Sequence, residues 1–243
     1  MRRGGGKKIK TFFVTSESRK RDHRFCTAIA LATAAGIIAG FAPTYYARGY
    51  FHSPVIPFPV EIHGAIFTAW LILYLLQNLL AMYGGMRLHR NLGVVGLILC
   101  AGVVLSGSAV ALRQARQGRF FPFPDTSSLL AVSFEQMLLF AVFVFSGLLL
   151  RRDGETHKRL MLMASQLFFF PSFGRLLHGI NGLTIALALC FYFAGPIYDL
   201  YSRHRVHVAY LWGVPFLILT MPPFTVMASH AGVWRDFVSA LLK

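Results

Sequence analysis

Long apolar stretches alternate along this chain with short polar segments that carry prolines, glycines and arginines. Most of the apolar stretches have roughly the 17 to 25 residues that an α-helix needs to cross a lipid bilayer. The pattern predicts an all-α fold, a polytopic membrane helix bundle of about seven transmembrane helices, at about residues 25–42, 61–83, 92–112, 127–150, 160–177, 180–201 and 208–222.

Proline and glycine positions refine this pattern. Pro171 should kink the fifth helix and Pro215 should interrupt the seventh, because proline cannot donate a helical hydrogen bond. Gly36 and Gly40 lie four residues apart on the first helix, a spacing of small residues that permits close contact with another helix.

The predicted bundle occupies residues 25–230, and its two flanks differ in character. Residues 1–24 hold nine of the 24 lysine and arginine residues, and we expect a disordered, basic cytoplasmic tail. Residues 231–243 are predicted to form an interfacial helix, with Trp234 at the level of the lipid headgroups.

Composition supports a membrane protein. Hydrophobic residues make up 56% of the chain and charged residues 14%, whereas a soluble domain carries about 25% charged residues. The formal net charge of +15 lies partly in this tail beside a hydrophobic helix, which favours contact with anionic lipid headgroups over nucleic-acid binding. Cys26, Cys100 and Cys190 lie in apolar runs without metal-ligand spacing.

The distribution of lysine and arginine predicts the orientation. Seven crossings place the two termini on opposite sides, and the basic residues are far more numerous on the side of the N-terminus. The positive-inside rule therefore favours a cytoplasmic N-terminus and a periplasmic C-terminus, in a bacterial inner membrane. The loop with Arg113, Arg116 and Arg119 goes against this rule, so its placement outside is open.

The second helix carries a polar stripe. His63, Trp70 and Gln77 are spaced seven residues apart, so their side chains share one helix face. Hydrocarbon cannot satisfy polar groups, so we expect this face to meet a partner inside the bundle.

Two belts of polar residues appear under this topology. The inner belt contains His89, His157 and His207, each at the start of a helix and beside arginine or lysine. These imidazoles are interpreted either as groups that hydrogen-bond to headgroups and loop carbonyls, or as ligands of haem or of a metal ion.

The outer belt contains the side chains of Glu61, His63, Glu135, Arg175 and His178. It is interpreted either as a structural network that locks the helices together or as a proton, quinone or ion site. A lone carboxylate at the depth of Glu135 costs on the order of 3 kcal/mol, and Arg175 is the basic residue at comparable depth. We therefore predict a Glu135–Arg175 contact, within an intramembrane network that includes Trp70 and Gln77.

Motifs for soluble catalysis are missing from the sequence. It contains no Walker loop, no dinucleotide-binding glycine motif, no zinc-protease HExxH and no nucleophile elbow, and the short loops leave no room for a catalytic domain. We assign no catalytic residues, and the pattern argues against an enzyme.

Two sets of motifs carry a resemblance to known proteins. The segment with His63, Trp70, Gln77 and His89-Arg90-x-Leu92-Gly93, and the later His157-Lys-Arg-Leu-Met161, resemble an uncharacterised bacterial multi-pass membrane family. The chain is also faintly similar to membrane cytochromes of the b561 type, which hold two haems between histidines on neighbouring helices. That similarity implies an outer pair, His63 with His178, and an inner pair of His89 with His157 or His207.

Three functions remain open at this point. The first is a haem-b or metal-binding component that transfers electrons or helps to assemble a membrane complex. The second is a small-molecule or proton-linked transporter that uses Glu135, Arg175 and the proline kinks. The third is a non-catalytic partner subunit or scaffold of a complex with other membrane subunits.

Overall fold

The computed structural model describes residues 16–120 and 122–243. Helices within these residues are α1 (Ser16–Phe41, continued by a π-helical turn over Ala42–Tyr46), α2 (Phe58–Tyr83), α3 (Met86–Arg116), α4 (Thr126–Leu149), α5 (Gly154–Gln166), α6 (Phe169–Leu176), α7 (Gly182–Arg203), α8 (Val208–Leu219), α9 (Pro222–Ala228) and α10 (Gly232–Leu242). The described part of the chain contains no strand, which confirms the all-α prediction.

Several helices are long and apolar enough to cross a membrane. These are α1 with its π-helical turn, α2, α3, α4 and α7, and the pair α8–α9 makes a sixth if its 59° bend belongs to one span. The chain is thus an all-α bundle whose apolar helices suit an integral membrane protein. Residues 16–24, which were predicted to belong to a disordered tail, form the first turns of α1. Residues 1–15 of that predicted tail lie outside the described residues.

The fifth predicted span consists of two short helices, α5 with 13 residues and α6 with 8. Pro171 explains the break, because it has no N–H group to donate to the carbonyl of Leu167, four residues earlier. Gln166, at the end of α5, and Phe169, at the start of α6, are both buried within the bundle. The kink predicted from Pro171 is therefore a complete interruption.

Side-chain contacts show how the chain is threaded. At one end of the bundle, Asp22 of α1 contacts Lys158 of α5 and Arg203 of α7; we call this the ionic end. At the opposite end, Ser128 of α4 hydrogen-bonds to Ser229, just after α9, at 2.9 Å. Segment α5–α6 starts beside Asp22 and ends where α6 packs on Gly40 of α1, so this pair of short helices runs the length of the bundle.

The described segments therefore pass seven times between these ends, as α1, α2, α3, α4, α5–α6, α7 and α8–α9. Ser16 lies at the ionic end and α10 at the opposite end, where the Trp234 Nε1–H group donates to the carbonyl of Ser127 at 3.0 Å. The contacts follow the order of the seven predicted spans, but five described helices, or six if α8–α9 is one span, are long and apolar enough to cross a membrane. Helices α5 and α6 are individually too short.

Glycine residues allow α1 and α6 to approach each other closely. A Cβ atom on Gly40 would lie 2.3 Å from the Ser172 carbonyl oxygen, so no larger residue fits without moving α1 away from α6. At Gly36, a Cβ atom would lie 3.1 Å from the Phe169 ring. The prediction that this small-residue pair serves close helix packing is confirmed, with α6 as the partner helix.

Candidate functional site

Two inner-belt histidines meet at the ionic end. His89 lies in the first turn of α3, which follows the tight turn at Gly84, where φ is +84°. His157 lies in the first turn of α5, whose N-terminus is capped by the Asp153 carboxylate. The centroids of the two imidazole rings are 6.1 Å apart and their planes are inclined by 89°. The sequence suggested His157 or His207 as the partner of His89, and the structure places His157 beside it.

Backbone carbonyls fix the orientation of both rings. The Nδ1 atom of His157 lies 2.7 Å from the Gly147 carbonyl oxygen, and that of His89 lies 3.3 Å from the Gln77 carbonyl oxygen. A carbonyl oxygen can only accept a hydrogen bond, so each Nδ1 carries the hydrogen in these contacts. Nε2 is then the nitrogen with a free lone pair on both rings. This arrangement is typical of histidines that bind a metal through Nε2.

Gln77 holds His89 in place from the polar stripe of α2. Its Nε2 atom donates to the His89 carbonyl at 3.1 Å, while its own backbone carbonyl accepts from the His89 ring. Trp70, one heptad earlier, is buried and packs edge-on against Phe140 with centroids 4.9 Å apart. The stripe therefore combines one positioning residue with one core residue.

His207 has a different task. The Nδ1 atom of its ring accepts a hydrogen bond from the backbone N–H of Ala209 at 3.2 Å, so His207 caps the start of α8. The backbone N–H of His207 donates to the Asp199 carboxylate. Burial, together with the positive charge of Arg159, lowers the pKa of His207, which agrees with an unprotonated accepting nitrogen. Its described contacts do not join it to His89.

The outer histidines lie apart from each other. His63 of α2 contacts the Ser106 hydroxyl of α3 through Nδ1 at 2.9 Å and packs against Gly107. His178 follows α6 in a left-handed conformation, with φ of +57°, and its side chain is exposed. No contact between these two rings occurs among the described residues, so the structure does not form the outer pair that the b561 similarity implied. Glu61 pairs instead with Arg48 at 3.0 Å.

The predicted Glu135–Arg175 contact is wrong. Glu135 forms a hydrogen bond with the Thr225 hydroxyl of α9. The Arg175 guanidinium lies 4.5 Å from the centre of the Phe41 ring and donates to the Pro171 carbonyl at 3.2 Å. The prediction paired these two side chains because of their expected depth in the membrane. In the fold, Glu135 contacts α9 and Arg175 contacts α1. The proposed network that would join them to Trp70 and Gln77 does not form among the described contacts.

An ionic cluster at the same end as His157 was not foreseen. Its centre is a buried pair in which Arg159 Nε donates to an Asp199 carboxylate oxygen at 2.9 Å and Nη2 donates to the other oxygen. Arg159 is 3% exposed and Asp199 1%. The six members, three acidic and three basic, come from α1, α5 and α7 and are Asp22, Glu155, Lys158, Arg159, Asp199 and Arg203.

Glu155 links the buried pair to the rest of this ionic cluster. Its carboxylate lies 2.9 Å from Arg159, 2.8 Å from Lys158 and 2.6 Å from Arg203. Burial by itself raises the pKa of this carboxyl group, but hydrogen bonds from the three cations outweigh burial and lower the pKa to about 2. Glu155 is therefore ionised at neutral pH. One sequence signal pointed to the cluster, namely Asp199, the acidic residue of the apolar helix α7.

The donor set limits the metal chemistry. Within residues 16–120 and 122–243, no group of three or more His, Cys, Asp or Glu side chains could hold a metal ion. Two imidazoles alone make an incomplete site for a bare transition-metal ion, which usually takes four or more ligands. A haem brings four porphyrin nitrogens of its own, so two histidines would be sufficient to hold its iron.

Comparison of the chain with protein-family models, with curated proteins and with solved structures finds no match.

Proposed function

We propose that this integral membrane protein binds one b-type haem between His89 and His157 and serves in electron transfer or in assembly of a membrane complex. The observation that carries the proposal is the pair of imidazoles 6.1 Å apart, each with Nδ1 bonded to a backbone carbonyl. The b561 resemblance implies His89 with either His157 or His207, and the first of these pairs is the one used in this proposal. The proposal concerns a single haem, because His63 and His178 do not form the outer pair that a second haem would need.

The spacing of the rings suits two axial ligands. Imidazole nitrogens bind a metal at about 2 Å. The ring centre lies roughly 1 Å farther along the same line, so two imidazoles that would hold one metal ion between them would have centroids roughly 6 Å apart. The spacing in the protein is 6.1 Å. Perpendicular ring planes do not oppose this geometry, since each plane can contain the same axis.

The residues around the pair would orient the ligands and balance charge. A haem supplies an iron that accepts and returns one electron at a time. The Gly147 and Gln77 carbonyls hold the rings and raise the basicity of Nε2, and Gln77 also anchors the backbone of His89. Burial lowers the pKa of His157, which keeps this ring neutral and able to ligate. Arg90, exposed beside His89, would provide a cation for a propionate group.

Absorption spectroscopy tests this proposal. Protein purified from haem-supplemented cells should show a Soret band, which His89→Ala and His157→Ala should each abolish. The matched control is His178→Ala, since His178 is an exposed histidine at the other end of the bundle and its loss should leave the band intact. A colourless wild-type preparation, or a band that survives both inner variants, overturns the assignment.

A second candidate is a non-catalytic partner subunit whose polar belts serve only to lock the helices. The ionic cluster favours it, because three acidic and three basic side chains pair almost completely with one another. Such a subunit should be colourless and should co-purify with other membrane subunits in mild detergent. A solitary, monodisperse protein would argue against this candidate.

We also propose that the ionic end faces the cytoplasm of a bacterial plasma membrane. The excess of lysine and arginine in the segments at this end supports that orientation, and the basic N-terminus would contact anionic headgroups. A reporter that is active only in the periplasm should work when fused after Lys243. Activity of a cytoplasm-specific reporter at that position would reverse the orientation.

A further inference from the structure

Glu135 is an isolated carboxyl group in the middle of a membrane-length helix. It lies nine residues after the first residue of α4, or roughly 14 Å along the helix axis. Its described hydrogen-bond partner is Thr225 of α9, which is buried. An ionised carboxylate at such a depth is costly unless a cation balances it.

No described side chain supplies that cation. Helix α9 contains no ionisable residue, and the charged residues of α5 lie at the ionic end. At the opposite end, the helices packed against α4 and the helix caps carry six charged groups, none of which forms an ion pair with Glu135; they are Arg113, Arg116, Arg235, Asp236, Lys243 and Asp125. Arg113 and Arg116 are exposed, and Arg235 hydrogen-bonds to His230.

The hydrogen-bond pattern around Thr225 suits the neutral acid. The Thr225 hydroxyl has one hydrogen but two neighbours that accept, the Glu135 carboxyl group and the Met221 carbonyl oxygen at 3.5 Å. If Glu135 is protonated, it can donate to the hydroxyl oxygen, and the hydroxyl can donate to Met221. Both contacts are then satisfied. If Glu135 is ionised, the Thr225 hydroxyl donates its hydrogen to Glu135, and no hydrogen remains for the contact with the Met221 carbonyl.

Buried hydroxyl groups lie between this carboxyl group and the opposite end of the bundle. Ser128 lies one heptad before Glu135 on α4, and its hydroxyl is 2.9 Å from that of Ser229, one turn after Thr225. Both serines are buried. Beyond them, the half-exposed Asp125 and His230 approach to 4.0 Å at the surface. We call the hydroxyls of Ser128, Thr225 and Ser229, together with Glu135, the α4–α9 seam.

We propose that Glu135 is a proton-binding site that is protonated at neutral pH and exchanges its proton with the opposite end of the bundle along the α4–α9 seam. Binding adds one proton to the carboxylate and release returns it to water at that surface. The bend of 59° between α8 and α9 places Thr225 against α4, so the site belongs to the broken helix pair. This inference does not depend on haem binding.

Infrared spectroscopy of the full-length protein in liposomes tests the protonation state. At neutral pH, the wild type should show the C=O stretch of a protonated carboxylic acid, and Glu135→Gln should remove it. Glu61→Gln is the control, because this carboxylate is half-exposed and paired with Arg48. Carboxyl-labelled glutamate in the wild type should shift the same band, which makes the result independent of the stability of the variant.

Deuterium exchange tests the path. In heavy water the acid band should shift, and replacement of Ser128 and Ser229 together by valine should slow this shift at least several-fold. Ser239→Val, on the exposed face of α10, should leave the rate unchanged. Absence of an acid band at neutral pH overturns the proton site, and an exchange rate unaffected by the paired valines overturns the path. A Soret band that persists in Glu135→Gln would separate this site from the proposed haem site.

Discussion

Replacement of Asp199 by asparagine should destabilise the bundle strongly. The Asp199 carboxylate is 1% exposed and accepts two hydrogen bonds from Arg159 and one from the His207 N–H. Asparagine keeps the shape but removes the negative charge, which leaves the Arg159 guanidinium buried beside a neutral amide. Loss of one partner of a buried ion pair costs about 3 to 5 kcal/mol.

The expected loss in the free energy of unfolding lies at the lower end of that range. Arg159 keeps the Glu155 carboxylate at 2.9 Å, and this group is 31% exposed, so part of the compensation survives in the variant. We therefore expect a loss of about 3 kcal/mol in the free energy of unfolding. This is a large share of the total, since folded domains are stable by about 5 to 15 kcal/mol.

Unfolding by SDS in mixed micelles, followed by circular dichroism, measures this loss. Asp236→Asn is the matched control, because this aspartate is exposed on α10 and should tolerate the change. The double variant Arg159→Met, Asp199→Leu should be more stable than Asp199→Asn, since it leaves no buried charge unpaired. If Asp199→Asn unfolds at the same SDS fraction as Asp236→Asn, the buried pair is not what holds α5 to α7.

Three further predictions concern single positions. The low pKa of Glu155, about 2 in the folded protein, means that its stabilising effect is complete above its unfolded pKa and is lost as the pH falls towards 2, which acid titration of unfolding should show. Gly40→Ala should destabilise the bundle in SDS titration because its Cβ meets Ser172, whereas Gly93→Ala, with open space around it, should stabilise it by up to about 1 kcal/mol. Gln77→Leu should weaken haem retention roughly 10- to 100-fold without changing the ligand set, as read from the Soret band during haem transfer to apomyoglobin.

Helix positions could be predicted from this sequence because they depend on local information. The lengths of apolar stretches locate the long helices, and a proline without an N–H group marks the interruption at Pro171. The same reasoning failed for residues 16–24, where basic side chains suggested a disordered tail but α1 had already begun. Charge alone does not prevent a helix from extending beyond its apolar part.

Pairs of residues on different helices could not be predicted, because depth in the membrane does not determine which helices are neighbours. The sequence assigns comparable depth to Glu135 and Arg175, yet in the fold they face α9 and α1 respectively. Asp199 and Arg159 are 40 residues apart in the sequence. Arg159 belongs to a run of basic residues, and the positive-inside rule alone was enough to explain that run. For His89 the sequence suggested two partners, His157 or His207, and the structure brings His157 to it.

The ionic cluster and the proposed haem ligand belong to the same two turns of α5. His157 stands between Glu155 and Arg159, so the charges that fix these neighbours to α1 and α7 also fix the position of the imidazole. A ligand ring must be held closely for its metal bond to form, and the carbonyl of Gly147 can orient it only while α5 stays in place. Asp199→Asn should therefore loosen haem binding as well as the fold, although Asp199 contacts neither histidine ring. If the Soret band and haem retention are unchanged in folded Asp199→Asn protein, the cluster and the histidine pair are independent features of the bundle.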